Sequence, residues 1–158
     1  MVVLPAAAAA PPAPLPAELT ALLARTRVAE KVTAWCGGEF ASGRARAYAI
    51  AAAAPSGGGS YLVLGLGEHP VRLATFRGGA DLACYSPAEA KALDKSIRES
   101  DTIHGGVASR WRTTVVCGFV ENTRAVCWQY SPVARAFVKV GEWITWETGP
   151  SMPGTRNA

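Results

Sequence analysis

Four cysteines are the residues of this sequence whose chemistry depends most directly on their spacing. They stand at positions 36, 84, 117 and 127, and no two form a Cys-x-x-Cys pair. An even count at these separations favours disulfides, whereas a tetrahedral zinc site needs short Cys-x₂₋₄-Cys spacings. Four buried free thiols in a reducing compartment are the alternative. We expect Cys36 and Cys84, each bordering a predicted helix, to form one of two bridges.

The other bridge is expected between Cys117 and Cys127, which lie in neighbouring strands of a predicted hairpin. Residues 113–120 and 124–130 are rich in β-branched and aromatic side chains, and a short polar turn joins them. A three-residue turn centred on Asn122 sets the two cysteines directly opposite each other. A two-residue turn is expected to shift the register by one residue and part the sulfurs.

The histidines offer little for acid–base or nucleophilic catalysis. His69 precedes a proline in a turn, and His104 precedes two glycines. A His-Gly-Gly run is typical of hydrolase oxyanion loops, but the chain lacks the Gly-x-Ser-x-Gly nucleophile elbow that accompanies them. If the protein is an enzyme, which is the less favoured of two predicted functions, we expect a small extracytoplasmic one. Its site would be assembled from scattered residues such as His104, Cys84 and Asp81.

Cofactor and metal motifs are also missing. Gly65-Leu66-Gly67 follows a predicted strand, as a phosphate-binding loop does, but a third glycine and the following helix are absent. The chain has no Walker A, His-Glu-x-x-His or EF-hand pattern. We predict no catalytic residue, no cofactor and no metal ligand.

Alternating arginines are the candidate binding residues. Arg44 and Arg46 form one pair, and Arg110 and Arg112 form another. Residues two apart on a strand point to the same side, so two such pairs predict a basic surface for an acidic protein, a glycan or nucleic acid. Nucleic acid is the least favoured because no binding motif is present. A solvated strand face is the other interpretation, and it suits a net charge of +4.

A tryptophan on the last predicted strand, 136–146, is a further candidate. Trp143 shares one face with Lys139, whereas Trp146 shares the other face with Val140. We therefore expect Trp146 in the core and Trp143 at the surface, where an indole beside cations suits a protein interface or sugar stacking.

The elements that must position these residues are two helices and about six strands. A helical repeat of apolar residues spans 17–36, and Ser86 to Glu89 carries the cap, proline and capping-box signals of a second helix. Short turns between neighbouring strands imply antiparallel pairing. The order helix, three strands, helix, three strands predicts an α+β fold, with one or two antiparallel sheets and helices packed on one face. The predicted strands are 44–51, 60–66, 71–76, 113–120, 124–130 and 136–146.

Length and composition limit the organisation of the chain. It has 158 residues, of which 49% are hydrophobic and 18% charged, enough for one domain with a core. We expect a single α+β domain at 17–147 and a flexible tail at 148–158. No run of eighteen apolar residues predicts a membrane span. Residues 1–16 form an Ala/Pro-rich leader, similar to the back half of a signal peptide, or a flexible linker.

These features predict an exported, periplasmic or secreted domain with disulfides and no catalytic role. It would bind or scaffold a protein partner as an accessory or envelope component. The second choice of compartment is the cytoplasm, where the same fold would be a ligand-binding domain.

Overall fold

The structure, a computed structural model, describes residues 14–77 and 81–145 of the chain. Most of the Ala/Pro-rich leader 1–16, the predicted core residue Trp146 and the predicted tail 148–158 lie outside these residues.

The described residues form two helices and nine strands, an α+β arrangement as predicted. The strand count is nine rather than about six. In chain order the elements are α1 (Ala17–Thr26), β1 (Lys31–Gly38), β2 (Ala47–Ala53), β3 (Gly58–Leu64), β4 (Val71–Arg77), β5 (Leu82–Tyr85), α2 (Pro87–Arg98), β6 (Ile103–Val107), β7 (Val115–Glu121), β8 (Arg124–Ser131) and β9 (Ala136–Thr145).

The strands form two antiparallel sheets that pack face to face. The first sheet has the order β1-β2-β3-β4 and the second β5-β7-β8-β9-β6. One set of alternate side chains fills the space between the sheets, including Ala49, Val63 and Val116. The opposite set of each sheet packs against its own helix, α1 on the first and α2 on the second. The helices therefore lie on the two outer faces rather than together on one face.

Small residues bring the two sheets close together. On β2 the large side chains of Tyr48 and Ile50 face α1, whereas alanines such as Ala49 face the second sheet. Gly118 on β7 lies under the ring of Tyr61, where a Cβ atom would stand 2.7 Å from ring carbons. The alternation of large and small residues in β2 thus has a packing reason, because bulky groups on the inner face would force the sheets apart.

The predicted helix 17–36 is wrong in its second half. α1 ends at Thr26, and Arg27 takes a left-handed conformation with φ 56°. From Lys31 the chain pairs with β2 as an edge strand. Val, Thr, Trp and Cys are weak helix formers, so pairing with a neighbouring strand outweighs their helical spacing. Cys36 therefore lies on a strand and not at a helix border.

The short edge strands β5 and β6 of the second sheet were not predicted. β5 has four residues and β6 five, and two of the five in β6 are glycines. Such runs are too short to show alternation, and glycine is depleted in strands. His104 accordingly lies within β6 and not in a loop.

α2 has the start that its sequence predicts. The Glu89 backbone N–H donates to Ser86 Oγ at 3.2 Å, and the Ser86 backbone N–H donates to Glu89 Oε1 at 3.1 Å. Further along, Asp94 Oδ1 accepts a hydrogen bond from the Val107 backbone N–H at 2.8 Å. This contact fastens the helix to β6 at the edge of the second sheet.

Both predicted disulfides are present, Cys36–Cys84 and Cys117–Cys127. The first joins β1 of one sheet to β5 of the other. Cys117 lies opposite Cys127 although the hairpin turn has two residues, because a bulge between Phe119 and Glu121 shifts the register back. The expectation that a two-residue turn parts the sulfurs is therefore wrong, since a bulge adds the missing residue to one strand.

Candidate binding cleft

Trp143, predicted to be exposed, is fully buried in the core beneath α2. Its ring packs edge to face on Phe119, with ring centroids 6.2 Å apart. The register between β8 and β9 shifts by one residue at Val140, so the alternation of β9 changes phase there. Val140 before the shift and Trp143 after it consequently face the same core. The indole is not available to a partner.

The four predicted arginines lie in two loops rather than on strands. Arg44 and Arg46 are in the β1–β2 loop, Arg110 and Arg112 are in the β6–β7 loop, and all four are exposed. A hydrogen bond of 2.9 Å from the Thr114 backbone N–H to the Glu39 carbonyl joins the two loops. The structure thus brings the predicted pairs to one end of the molecule.

One arginine of each pair lines a shared cleft of about 600 Å³, here called the arginine cleft. Arg44 and Arg112 are joined there by Arg135 from the β8–β9 turn. Trp111 and Tyr130 supply aromatic surface between them. The remaining lining residues are Ala41, Ser42, Thr113 and Pro132. Arg46 and Arg110 do not line the cleft, and the Arg46 guanidinium lies instead over the Tyr48 ring, 5.9 Å from its centroid.

Gln129 holds the loop that carries Trp111 and Arg112. This side chain is fully buried on β8. Its Nε2 donates to the carbonyl oxygens of Trp111 at 3.0 Å and Thr113 at 2.9 Å, and its Oε1 accepts from the Arg110 N–H at 3.0 Å. One amide side chain thus satisfies three backbone groups of a loop without regular structure, which fixes that wall of the cleft.

The other two cleft arginines are also held in place. Arg44 Nη1 donates to the Leu66 carbonyl at 3.0 Å, which ties the β1–β2 loop to the β3–β4 connection. Arg135 has φ 51°, in the left-handed region that side-chain-bearing residues seldom occupy. Its turn is closed by a 3.1 Å hydrogen bond from the Ala134 N–H to Ser131 Oγ.

The charge of the arginine cleft is not neutralised by the described part of the chain. The ion pairs among the described residues are Lys95–Glu99, Arg98–Asp94, Arg124–Glu142 and Lys139–Glu142. None involves Arg44, Arg112 or Arg135, and no carboxylate of the described residues lines the cleft. Three guanidinium groups around a concave surface attract anions, and each can bind a carboxylate through two parallel hydrogen bonds.

A smaller recess of about 220 Å³, here called the side pocket, adjoins the arginine cleft. Leu66, Val71 and Phe137 give it apolar walls, and His69 also lines it. The two cavities share the lining residues Ala41, Arg44, Tyr130 and Arg135.

The residues of the predicted alternative enzyme site are not brought together. Cys84 is bonded to Cys36, so it has no thiol to act as a nucleophile. Cys84 lies on β5 and His104 on β6, the two opposite edges of the five-stranded sheet. Four inter-strand spacings of about 4.8 Å put them roughly 19 Å apart. Burial raises the pKa of the Asp81 carboxyl, but this group stands beside β5, away from His104.

The described residues hold neither a metal-binding cluster nor a membrane-spanning helix. Within 14–77 and 81–145, no three His, Cys, Asp or Glu side chains cluster closely enough to hold a metal ion. Neither described helix is long and apolar enough to cross a bilayer. Comparisons with protein-family models, curated proteins and solved structures each found no match.

Sequence reasoning missed Trp111, Tyr130 and Arg135 as cleft residues. Arg135 is a single arginine in a turn, and nothing in its spacing relates that turn to the β1–β2 loop more than eighty residues earlier. Residue type is the signal that could have indicated them. Trp, Tyr and Arg stand beside polar loop residues, and these three types dominate binding surfaces.

Proposed function

We propose that this protein is an exported, non-catalytic domain that binds an acidic segment of a protein partner in the arginine cleft. The observation that carries the proposal is the convergence of Arg44, Arg112 and Arg135, from three separate loops, on one concave surface that no described carboxylate lines. Like charges gathered in this way repel one another, so a ligand anion offsets a cost that the folded protein bears alone.

The lining of the cleft favours a protein as the source of that anion. Arginine, tryptophan and tyrosine are the residue types most enriched among energetically dominant contacts between proteins. A neutral sugar needs hydrogen-bond acceptors as well as donors, and the cleft offers mainly cationic donors. A nucleic acid needs a longer basic track than three arginines and two aromatic rings supply.

The two disulfides support the exported location. Disulfides persist in oxidising compartments such as the periplasm or the extracellular space, and they are rare in the cytosol. All four described cysteines are paired, with no free thiol among them. Recovery of the protein from its native source with four titratable thiols would instead favour the cytoplasm.

The chain contains its own control for the cleft. We would measure binding of short peptides rich in Asp and Glu by isothermal titration calorimetry. The double variant Arg44→Gln/Arg112→Gln removes two cleft charges, and Arg46→Gln/Arg110→Gln removes two charges from the same loops outside the cleft. We expect the first to weaken binding at least about 100-fold, because charged hydrogen bonds contribute roughly 1.5–3 kcal/mol each, and the second to weaken it by about threefold or less.

Two outcomes would contradict the proposal. Equal losses in both double variants would mean that the peptides respond only to net charge. No measurable binding of any acidic peptide, with an anionic glycan bound instead, would exclude a protein segment as the ligand.

A further inference from the structure

The side pocket gives the arginine cleft a second kind of surface. Leu66 and Phe137 are half-buried, and Val71 remains 36% exposed at the start of the edge strand β4. Their apolar surfaces meet in a recess of about 220 Å³, the space of one large side chain rather than of a peptide. Covering such a surface with an apolar group removes it from water, which stabilises the complex.

The side pocket lies beside the charged groups of the arginine cleft. Arg44 and Arg135 line both cavities, so the two cationic side chains stand where the arginine cleft meets the apolar recess. Tyr130 also lines both cavities. Two residues of an extended peptide span about 7 Å, which is the range over which neighbouring side chains can enter adjoining cavities.

We infer that the arginine cleft and the side pocket form one bipartite site, which selects an acidic residue within two positions of a large apolar residue. This inference rests on the proposed function and adds the sequence preference of the bound segment. Charge brings the segment to the cleft, and the apolar side chain, of leucine, methionine or phenylalanine size, sets its register. A segment with acidic residues alone fills only half of the site.

Three peptides of equal charge test the inference by calorimetry on the full chain. One carries leucine next to its acidic residues, the second carries alanine at that position, and the third has the leucine moved to the far end. We expect the first to bind about tenfold more tightly than the others, because a buried leucine side chain contributes in that range.

A variant and a matched control locate the preference in the protein. Val71→Gln places a polar group in the side pocket, and Ile144→Gln makes the same kind of change at a residue of similar exposure (38%) outside both cavities. We expect Val71→Gln to abolish the leucine preference while acidic peptides still bind, and Ile144→Gln to leave it unchanged. Thermal unfolding of both variants checks that each is folded.

The outcomes separate this inference from the proposed function. If the leucine and alanine peptides bind equally, the side pocket has no role and the cleft keeps its acidic ligand. If Val71→Gln retains the leucine preference, the apolar subsite lies elsewhere and the inference is overturned. If no acidic peptide binds, the proposed function fails together with it.

Discussion

Arg135 and Arg27 share an uncommon backbone conformation but have different surroundings. Their φ angles are 51° and 56°, in the left-handed region that costs a side-chain-bearing residue about 1 kcal/mol. Arg27 occupies the position after α1 where glycine commonly ends a helix. Arg135 lines the arginine cleft. The strained backbone of Arg135 thus lies beside a candidate site, where strain of this kind often has a functional role.

Replacing each of these arginines by glycine should separate stability from binding. We expect Arg135→Gly to raise the free energy of unfolding by up to about 1 kcal/mol, because glycine relieves the strain, and to weaken binding of acidic peptides about tenfold. Arg27→Gly should give a similar stabilisation and unchanged binding. Urea unfolding and calorimetry measure the two effects. Loss of stability in Arg135→Gly would mean that the arginine side chain supports the turn rather than a ligand.

We expect Tyr85 to make the protein less stable at alkaline pH. Burial, followed by the charges of Glu89 and Asp81, raises the pKa of its phenol from 10.0 to about 12. Because the pKa of the Tyr85 phenol is higher in the folded than in the unfolded protein, its contribution to stability is fully present below pH 10. That contribution is lost as pH rises towards 12. We expect the free energy of unfolding to fall by up to about 1.4 kcal/mol per pH unit in this window.

The variant Tyr85→Phe tests this origin of the alkaline loss. The Tyr85 hydroxyl is buried without a hydrogen-bond partner among the described residues, so its removal should cost little at pH 8. The slope between pH 10 and 12 should become shallower in urea titrations of the variant. Tyr61 is no substitute control, because its hydroxyl donates to the Phe119 carbonyl at 2.7 Å. An unchanged slope in Tyr85→Phe would assign the loss to other groups.

At the scale of elements, the arginine cleft is made of three loops that are held by β8 and by a contact between two of the loops. The β6–β7 loop is fastened by Gln129 on β8, and the β1–β2 loop by the Thr114–Glu39 backbone hydrogen bond. The β8–β9 turn is closed by Ser131. Because these contacts are made within the protein itself, by β8 and between two of the loops, we expect the cleft to be formed before a ligand binds, which lowers the cost of binding.

Removing the Gln129 amide should loosen one wall of the cleft. In Gln129→Leu, three backbone groups of the loop lose their buried partner, so we expect the free energy of unfolding to fall by about 2–4 kcal/mol. Binding of acidic peptides should weaken as Trp111 and Arg112 lose their fixed positions. Hydrogen exchange of 109–113 reports the loosening directly. Asn122→Ala, in an exposed turn of the same hairpin, is the control and should change neither property. Normal exchange protection in Gln129→Leu would contradict this role.

At the scale of the whole molecule, side chains from both sheets fill the space between them. Ala51 and Tyr61 of the first sheet pack with Val126 and Trp128 of the second. The Cys36–Cys84 disulfide links the same two sheets covalently. On this basis we propose that 17–147 unfolds as one unit, so tryptophan fluorescence and circular dichroism should report the same transition. Two separate transitions would mean that 17–147 contains two units that unfold independently.

The two disulfides should differ in their effect on that transition. Cys36–Cys84 spans 48 residues and Cys117–Cys127 spans 10. By the loop-closure estimate, replacing the first pair by alanine costs about 4 kcal/mol and replacing the second about 3 kcal/mol. Cys117 and Cys127 are fully buried, so their replacement also leaves a cavity that adds to its cost. Denaturant unfolding of both double variants under oxidising conditions gives the values. Unchanged stability in Cys36→Ala/Cys84→Ala would mean that packing alone holds the sheets together.

Features that depend on residues close together in the chain can be predicted from the amino-acid sequence. The capping box and the proline at the start of α2 satisfy backbone groups within a single turn, so their spacing is sufficient. The hairpin that joins Cys117 to Cys127 is likewise local. The α+β class follows from short turns between strands, since parallel strands need longer connections.

Features that depend on partners far apart in the chain become visible once the strands are paired. Lys31–Gly38 is a strand because β2 offers it a ladder of hydrogen bonds, which its own helical spacing does not reveal. Trp143 is buried because a one-residue register shift against β8 reverses the side that it faces. The arginine cleft exists because three loops, far apart in the chain, meet at one end of two packed sheets. Each outcome depends on long-range pairing, whose free energy no local pattern contains.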